Sequence, residues 1–223
     1  GTRIRSVSEL PKVLINVLGK PMLLWNIDLL KKHGIKEIAI NTHYGAEKIK
    51  EYFGDGQKFG VDIKYSYEPE LLGTSGALNN FKDFLTETFL VIYGDVITHL
   101  DLSKLIYFHK EKKAEATITI KKSDHPLDSD IIQIDENNLI TNIVNKPGNL
   151  NFGDMGNAAF YVIEPDIFNH IPKGTSDFIT QVFPKMLAEK RKLYGYFTNE
   201  FMKDAGTPEG LNKVLKYLKD NVI

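Results

Sequence analysis

Short apolar runs alternate with amphipathic segments along most of the chain. Runs rich in Ile, Val, Leu and Phe, or with apolar and polar residues in alternation, predict strands. These runs lie at residues 35–41, 61–67, 89–93, 116–121, 131–134, 139–144, 158–163 and 193–198. Apolar residues at every third or fourth position predict helices between Pro21 and Gly34 and at residues 46–53, 74–85, 102–113, 178–189 and 208–219.

The order of these segments predicts an α/β protein, because strands that alternate with helices form a mainly parallel sheet. Residues 89–93 are a continuous apolar run, which is typical of a strand buried on both faces. The rhythm changes at residues 131–144, where two strands flank Asp135–Asn138 and predict an inserted antiparallel hairpin. Such sheets bind ligands beyond the carboxyl ends of their strands, so polar residues at those ends are the first candidates for chemistry.

Composition and charge narrow the class of protein. The 223 residues are 42% hydrophobic and 26% charged, and we expect one globular domain over residues 1–223. Lys and Arg number 28 against 29 Asp and Glu, so the charge balance gives no electrostatic case for nucleic acid as a partner. The absence of Cys excludes disulfides, thiolate zinc sites and a Cys nucleophile. No apolar run approaches the roughly 20 residues that span a membrane, which favours a soluble, cytoplasmic protein without a membrane partner.

Two Asp residues follow predicted strands and are candidates for a metal site. Asp95 follows the apolar strand at 89–93, and Asp204 stands between an aromatic strand and the last predicted helix. Carboxylate and phosphate oxygens are hard ligands that suit Mg²⁺. The alternative for each Asp is an ordinary turn residue, since Asp95 opens a loop-like segment. Only the fold can bring the two together.

The start of the chain is a candidate phosphate site. Gly1, Thr2 and Arg3 would suit the end of a glycine-rich loop, because glycine lets backbone N–H groups approach a polyphosphate. Arg3 and Lys12 would neutralise its charge. The alternative is that both cations are ordinary surface residues.

Three later segments offer contacts for other parts of a ligand. The glycines in Leu72–Gly76 let the backbone approach a flat base, although an ordinary capped loop has the same composition. Lys146 precedes Pro147, so we expect an extended backbone that aims its ammonium at an anion; the alternative is an exposed turn lysine. Asn157 enters a strand, where it would either bind hydroxyls or serve as a turn residue.

Together these residues stand in six motifs that resemble those of the sugar-1-phosphate nucleotidyltransferase family, in that family's order. The motifs are G-T-R with P-K-x-L-x-x-V-x-G-K-P-x-L (1–23), E-P-x-L-x-G-T-x-G-A-L (68–78), Y-G-D (93–95), K-P (146–147), G-N-A-x-x-Y-V (156–162) and K-D-x-G-T-P-E (203–209). They cover nearly the whole chain. The resemblance is greatest to the short guanylyltransferases that act on mannose or manno-heptose 1-phosphate.

The resemblance implies a fold, a reaction and a set of roles. The fold is a Rossmann-like three-layer α/β/α sandwich with an inserted antiparallel sugar-binding portion. A sugar 1-phosphate attacks the α-phosphate of a nucleoside triphosphate, with GTP favoured, to give a nucleotide sugar and pyrophosphate. The implied site residues are Arg3, Lys12, Asp95 and Asp204 for catalysis; Gly1, Thr2, Arg3, Lys12, Glu68, Gly73, Thr74 and Asp95 for the nucleotide; Asp130, Lys146 and Asn157 for the sugar phosphate; and Asp95 and Asp204 for Mg²⁺.

The chain departs from the family pattern in three places. The family's opening strand and first glycines do not precede Gly1, so we expect further residues upstream in the biological protein. Asn145 stands where the family often has a sugar-binding Glu. Asp128–Asp130, with His125 and Pro126 nearby, occupies a region where glucose-type members carry glycine, which favours a manno-configured sugar.

Other functions remain open at this stage. The same reaction with another base would give a UDP-, dTDP- or CDP-sugar. A silent nucleotide-sugar sensor on the same fold is disfavoured, because all the candidate cations and carboxylates are retained. A glycosyltransferase is disfavoured, because Asp95 is not part of a D-x-D motif. The sequence leaves the oligomeric state open, with a homodimer as one option.

Overall fold

The computed structural model describes residues 10–149 and 151–221. These residues form two compact units. The first unit consists of the described residues within Gly1–Pro69, Tyr93–Leu102 and Glu200–Ile223, and the second of those within Glu70–Ile92 and Ser103–Asn199. A single domain over residues 1–223 remains a prediction.

The helices and strands follow the predicted order. The α-helices are α1 (Met22–Lys32), α2 (Ala46–Phe53), α3 (Gly73–Gly76), α4 (Leu102–Lys112), α5 (Phe183–Ala188) and α6 (Pro208–Asn221). The strands are β1 (Asn16–Val17), β2 (Lys20–Pro21), β3 (Glu37–Thr42), β4 (Asp62–Tyr67), β5 (Phe89–Ile92), β6 (Val96–Thr98), β7 (Ala116–Lys122), β8 (Ile131–Ile134), β9 (Ile140–Val144), β10 (Met155–Ile163), β11 (Leu193–Phe197) and β12 (Met202–Asp204). The α/β class is confirmed.

The first unit contains a βαβ element, a small antiparallel ladder and an apolar core. Strands β3 and β4 are parallel and are connected through α2, while β6 and β12 pair antiparallel. Helix α6 contributes Val214 and Leu218 to a core that also contains Met22 of α1 and Ile97 of β6. Helix α6 begins as predicted, because the Thr207 hydroxyl accepts the N–H of Gly210.

The second unit contains a six-stranded sheet in the order β11-β7-β10-β8-β9, with β5 also paired to β10. Strand β11 is parallel to β7, and β10 is antiparallel to β5, β7 and β8. Strands β5, β7, β8 and β11 therefore run in one direction, and β10 is a reversed strand among them. The predicted hairpin is confirmed, since β8 and β9 pair antiparallel.

Helices cover both faces of this sheet, which confirms a three-layer arrangement within the second unit. Phe108 of α4 contacts the rings of Tyr194 and Tyr196, whose side chains share the face of Thr117 and Thr119. Tyr161 of β10 pairs with Ile118 and faces the other way, where its ring packs on Phe178 and Phe183.

Strand β10 contains an irregularity in its pairing with β7. Between Asn157 and Tyr161 it advances four residues while β7 advances two. Ala159, inside this bulge, has φ +60°, a left-handed conformation that is costly for a residue with a Cβ. Bulges of this kind re-aim side chains and are frequent beside active sites.

Three sequence predictions differ from the structure. The predicted helix at 74–85 is the four-residue α3 followed by a 3₁₀ turn at Ala77–Phe81. The helix at 178–189 begins with a π turn at Phe178–Val182, where Asp177 is the N-cap. Strand β5 is half-buried instead of buried on both faces.

No helix within the described part of the chain is long and apolar enough to cross a membrane.

We expect Gly210→Ala to destabilise the first unit. A Cβ at this buried position in α6 would overlap the carbonyl oxygen of Asp204, which is backbone and cannot swing aside. The overlap should cost about 1–3 kcal/mol, which the better helix propensity of Ala offsets only in part. Urea unfolding measures the loss. Asn212→Ala, at an exposed position of the same helix, is the control and should change stability by less than about 0.5 kcal/mol. Equal stability of the two variants would contradict the close approach of α6 to Asp204.

Candidate active site

The pairing of β6 with β12 brings Asp95 and Asp204 together in the first unit. Asp204 is in register with Val96, and the N–H of Ala205 donates to the carbonyl oxygen of Asp95 at 2.8 Å. Val96–Thr98 is a buried strand, and Asp95 lies in the turn that leads into it. Two residues that are far apart in the chain therefore become neighbours.

The ammonium of Lys12 lies between these two carboxylates. Lys12 Nζ donates a short hydrogen bond to Asp95 Oδ2 and is 3.8 Å from Asp204 Oδ1. The lysine is held in a 3₁₀ turn, Lys12–Leu14, that follows the buried Pro11. The side chains of Lys12 and Asp95 are 21% and 29% exposed, and that of Asp204 is 56% exposed. The three groups carry one more negative than positive charge, so the cluster favours a further cation.

Gly206 gives this cluster the space that it needs. Its N–H donates to Asp204 Oδ1 and so orients that carboxylate. A Cβ at Gly206 would overlap the end of the Lys12 side chain. The sequence analysis missed this role, although the glycine is part of the K-D-x-G-T-P-E motif. A glycine two residues after a candidate ligand was the available signal.

Glu68 is almost completely buried at the end of β4, with 1% exposure. Its Oε1 accepts a hydrogen bond from the side-chain amide of Asn41 at 2.8 Å, and its carbonyl oxygen lies 2.7 Å from His43 Nδ1. These contacts orient the carboxylate, so it does not point into solvent. Asn41 lies at the equivalent end of the neighbouring strand β3, and the sequence analysis did not identify it.

In the second unit, the turn at Gly73–Gly76 is joined to the segment at Ser176. Gly73 has φ +77°, and a Cβ there would overlap the Ser176 carbonyl oxygen, so both the conformation and the space require glycine. The same carbonyl accepts the N–H of Ser75 at 3.1 Å. Thr74 donates its hydroxyl to Asp177. The turn is therefore built against a segment that carried no sequence motif.

Asp130 is held beside the hairpin by Asn145. The Asn145 amide donates to Asp130 Oδ1 at 2.6 Å. Burial raises the pKa of Asp130, and the charge of Asp177 acts in the same direction, while the Asn145 hydrogen bond and the charge of Lys146 oppose them. Burial is the largest of these effects. The Asn145 hydrogen bond therefore holds the Asp130 carboxylate in place, although burial disfavours its charged form.

Lys146 is exposed, but its backbone is not extended as we predicted. Its φ is +43°, in the left-handed region. The preference of a residue before proline for extended backbone is overridden here, because the chain turns at the end of β9 between Val144 and Gly148, whose N–H donates to the Leu127 carbonyl.

Asn157 braces the bulge of β10. Its Oδ1 accepts the N–H of Ala159 at 3.0 Å, its Nδ2 donates to the Tyr161 hydroxyl at 2.9 Å, and its own N–H donates to the Asp130 carbonyl at 2.8 Å. The side-chain oxygen is thus committed within the protein, and one amide hydrogen is left for a ligand. The structure joins Asn157 to Asp130 through the backbone.

The remaining predicted residues lie outside this description. Gly1, Thr2 and Arg3 precede residue 10 and are outside the described residues.

Among residues 10–149 and 151–221, no group of three or more His, Asp or Glu side chains is arranged to hold a metal ion. A divalent cation at Asp95 and Asp204 would therefore need further ligands from water or a substrate.

Comparisons with known proteins agree with this chemistry. A model of the nucleotidyl transferase family matches residues 1–221. The chain is 35% identical over 204 residues to a UTP–glucose-1-phosphate uridylyltransferase of Synechocystis, with 84% of this chain and 53% of that protein covered. It is 31% identical over 213 residues to a mannose-1-phosphate guanylyltransferase of Mycobacterium tuberculosis, with 94% and 59% covered. The chain thus spans less than two thirds of the length of these curated relatives.

Solved structures give the same fold. HddC from Yersinia pseudotuberculosis superposes with a TM-score of 0.81 at 25% identity, over 98% of this chain and 95% of that one. A putative glucose-1-phosphate thymidylyltransferase from Bacillus anthracis has a TM-score of 0.87 at 22% identity, over 98% and 91%. The family match covers all six motifs and the cluster of Lys12, Asp95 and Asp204. The chain therefore belongs to the nucleotidyl transferase family, and the resemblance of its motifs to the sugar-1-phosphate nucleotidyltransferases is confirmed.

Proposed function

We propose that this protein transfers a nucleotidyl group from a nucleoside triphosphate to a sugar 1-phosphate, with GTP and a manno-configured sugar as the preferred pair. The observation that carries the proposal is the convergence of Asp95 and Asp204 on Lys12. A mannose-1-phosphate guanylyltransferase among the relatives supports the choice of substrates. The uridylyltransferase relative favours a second candidate, UTP with glucose 1-phosphate.

The reaction asks for alignment and charge neutralisation more than for proton transfer. A phosphate oxygen of the sugar 1-phosphate bonds to the α-phosphorus, the bond between that phosphorus and the bridging oxygen to the β-phosphate breaks, and pyrophosphate leaves. The attacking oxygen is already an anion, so no general base is needed. Lys12 and Arg3 have the proposed role of stabilising phosphate charge. Glycine at position 206 leaves the lysine room to do so.

The residues of the cluster fit a divalent cation. Two hard carboxylates converge on one point and carry excess negative charge, and Mg²⁺ commonly combines one or two carboxylates with substrate phosphate oxygens. Asp95 and Asp204 would hold the ion, which when bound neutralises phosphate charge. Lys12 occupies that point in this structure, and its long side chain can move toward the phosphates.

The proposed choice of guanine rests on Glu68. A buried carboxylate oriented by Asn41 can accept hydrogen bonds from the N1–H and the exocyclic amine of guanine. Uracil offers one N–H donor between two carbonyl oxygens, and the latter repel a carboxylate. Backbone groups of the turn at Gly73 and Thr74 are proposed to make further contacts with the nucleotide.

The proposed choice of sugar rests on the second unit. Asn145 replaces the usual Glu, and it holds Asp130 as a neighbouring carboxylate acceptor. An axial 2-hydroxyl needs a differently placed acceptor from an equatorial one, which favours a manno-configured sugar. Lys146 has the proposed role of binding the sugar phosphate, and Asn157 retains one amide hydrogen for a hydroxyl.

A pyrophosphate-release assay tests the proposal. GTP, UTP, dTTP, CTP and ATP are each combined with mannose, manno-heptose and glucose 1-phosphates in the presence of Mg²⁺, using the full-length protein. We expect the fastest turnover with GTP and a manno-configured sugar phosphate. Faster turnover of UTP or dTTP with glucose 1-phosphate would replace the substrate assignment and keep the reaction. Nucleotide-sugar binding without pyrophosphate release from any pair would indicate a sensor and refute the enzyme.

We expect Asp204→Asn to lower turnover by at least about 10²-fold, because it keeps the side-chain volume but removes an anionic ligand and electrostatic partner. The loss should be accompanied by a higher requirement for Mg²⁺, and the thermal midpoint should change little because Asp204 is more than half exposed. Asp220→Asn, an exposed position in the last turn of α6, is the charge-matched control. Wild-type turnover by Asp204→Asn would exclude the metal assignment.

We expect Asp130→Asn to stabilise the protein at neutral pH while it weakens sugar-phosphate binding. The pKa of Asp130 is raised above its ordinary value of 3.8, so ionisation is easier in the unfolded chain and costs stability as the pH rises above that value. The variant removes this cost, and its gain in thermal midpoint should vanish as the pH falls below 3.8, where both states are protonated. Its KM for the sugar 1-phosphate should rise about tenfold. An unchanged midpoint at neutral pH would contradict the raised pKa.

A further inference from the structure

The turn that carries Gly73 and Thr74 depends on the segment from Gly174 to Phe178. The Ser176 carbonyl oxygen accepts the N–H of Ser75, and the Ser176 N–H donates to the Leu72 carbonyl at 2.9 Å. The hydroxyls of Ser75 and Ser176 are 2.7 Å apart. Several hydrogen bonds thus join two chain segments more than 90 residues apart. A further bond between them involves a charged side chain.

That charge is the carboxylate of Asp177, whose two oxygens have separate tasks. Oδ1 caps the following helical turn by accepting the N–H groups of Ile179 and Thr180 at 2.9 and 3.0 Å, and the Thr180 hydroxyl at 3.1 Å. Oδ2 accepts the Thr74 hydroxyl at 2.6 Å. These hydrogen bonds lower the pKa of Asp177 although its burial acts in the opposite direction, so the carboxylate stays ionised.

The hydroxyl of Thr74 makes two hydrogen bonds inside the protein. It donates its hydrogen to Asp177 and accepts the N–H of Phe178 at 3.0 Å. A hydroxyl has one hydrogen to donate, so the Thr74 side chain has none left for a nucleotide. These two bonds tie the turn to Asp177 and to the backbone of Phe178.

We propose that Asp177 is a positioning residue that fixes the nucleotide-binding turn at Gly73–Gly76 through its hydrogen bond to Thr74. The inference rests on the proposed function, because it concerns how the base-binding turn of that reaction is held. The charge-assisted bond resists displacement of the turn, and Gly73 can approach the Ser176 carbonyl only while the two segments stay in register. Asp177 itself contacts no substrate in this scheme.

The chain offers a set of variants that separate positioning from folding. In Asp177→Asn the remaining oxygen keeps the cap on Ile179 and Thr180, and the new NH₂ faces the Thr74 hydroxyl, which then has no acceptor for its hydrogen. Thr74→Val removes the same bond from the other side and leaves the cap intact, and Thr74→Ser retains the hydroxyl. Thr180→Val is the matched control, since it removes a hydroxyl bond to Oδ1 only.

Steady-state kinetics with the fastest substrate pair, together with amide hydrogen exchange, test this inference. We expect Asp177→Asn and Thr74→Val to raise the KM for the nucleoside triphosphate about tenfold, with the KM for the sugar 1-phosphate changed less than about twofold. Thr180→Val should behave as the wild type, and Thr74→Ser should recover most of the triphosphate affinity that Thr74→Val loses. The amides of Ser75 and Gly76 should exchange faster only in Asp177→Asn and Thr74→Val.

Three outcomes would overturn the inference. The first is an unchanged triphosphate KM in both Asp177→Asn and Thr74→Val, even if their thermal midpoints fall, because the bond would then serve folding alone. The second is an equal effect of Thr180→Val. The third is a wild-type protein that turns over no substrate pair. That result would refute the proposed function as well, and the assay of the wild type alone distinguishes it from the other two outcomes.

Discussion

Two carboxylates that face each other need a cation, and in the first unit that cation is Lys12. Asp95 and Asp204 would repel one another across the β6–β12 ladder, and the ammonium between them offsets this repulsion. The surrounding details follow from the same requirement. The turn after Pro11 positions the lysine, and a side chain at Gly206 would overlap the end of the lysine. The excess negative charge that remains favours a further cation, and for this reason we propose a divalent ion with a polyphosphate at this position.

The second unit departs from a regular sheet at one of its strands. Its reversed strand β10 contains a bulge, in which Ala159 adopts the left-handed conformation. The side-chain oxygen of Asn157 accepts the N–H of Ala159 and so stabilises the bulge. The hairpin β8–β9 lies beside it and supplies Asp130 and Asn145. Burial raises the pKa of Asp130, so this carboxylate is present although burial disfavours its charged form.

The relatives of this chain are named for different nucleotides and sugars. Proteins named for UTP with glucose 1-phosphate and for guanylyl transfer to mannose 1-phosphate match the same chain at 35% and 31% identity. We propose that the cluster of Lys12, Asp95 and Asp204 serves the common chemistry, while side chains such as Glu68 and Asp130 select the base and the sugar. A hydrogen-bonding site rejects a ligand that leaves its buried polar groups unpaired, so one oriented carboxylate can distinguish guanine from uracil.

The sequence by itself determined the α/β class, the order of the longer helices and strands, the hairpin and the motifs of the family. These features depend on local periodicity, on turn residues and on residue types at fixed spacing, which the chain carries within short windows. Only the tertiary structure decided the short strands β6 and β12, the pairing of Asp95 with Asp204, the irregular helices after Gly73 and Asp177, and the left-handed Lys146. Each of these is set by hydrogen bonds or packing between distant residues, and such contacts override local preference without leaving a local signal.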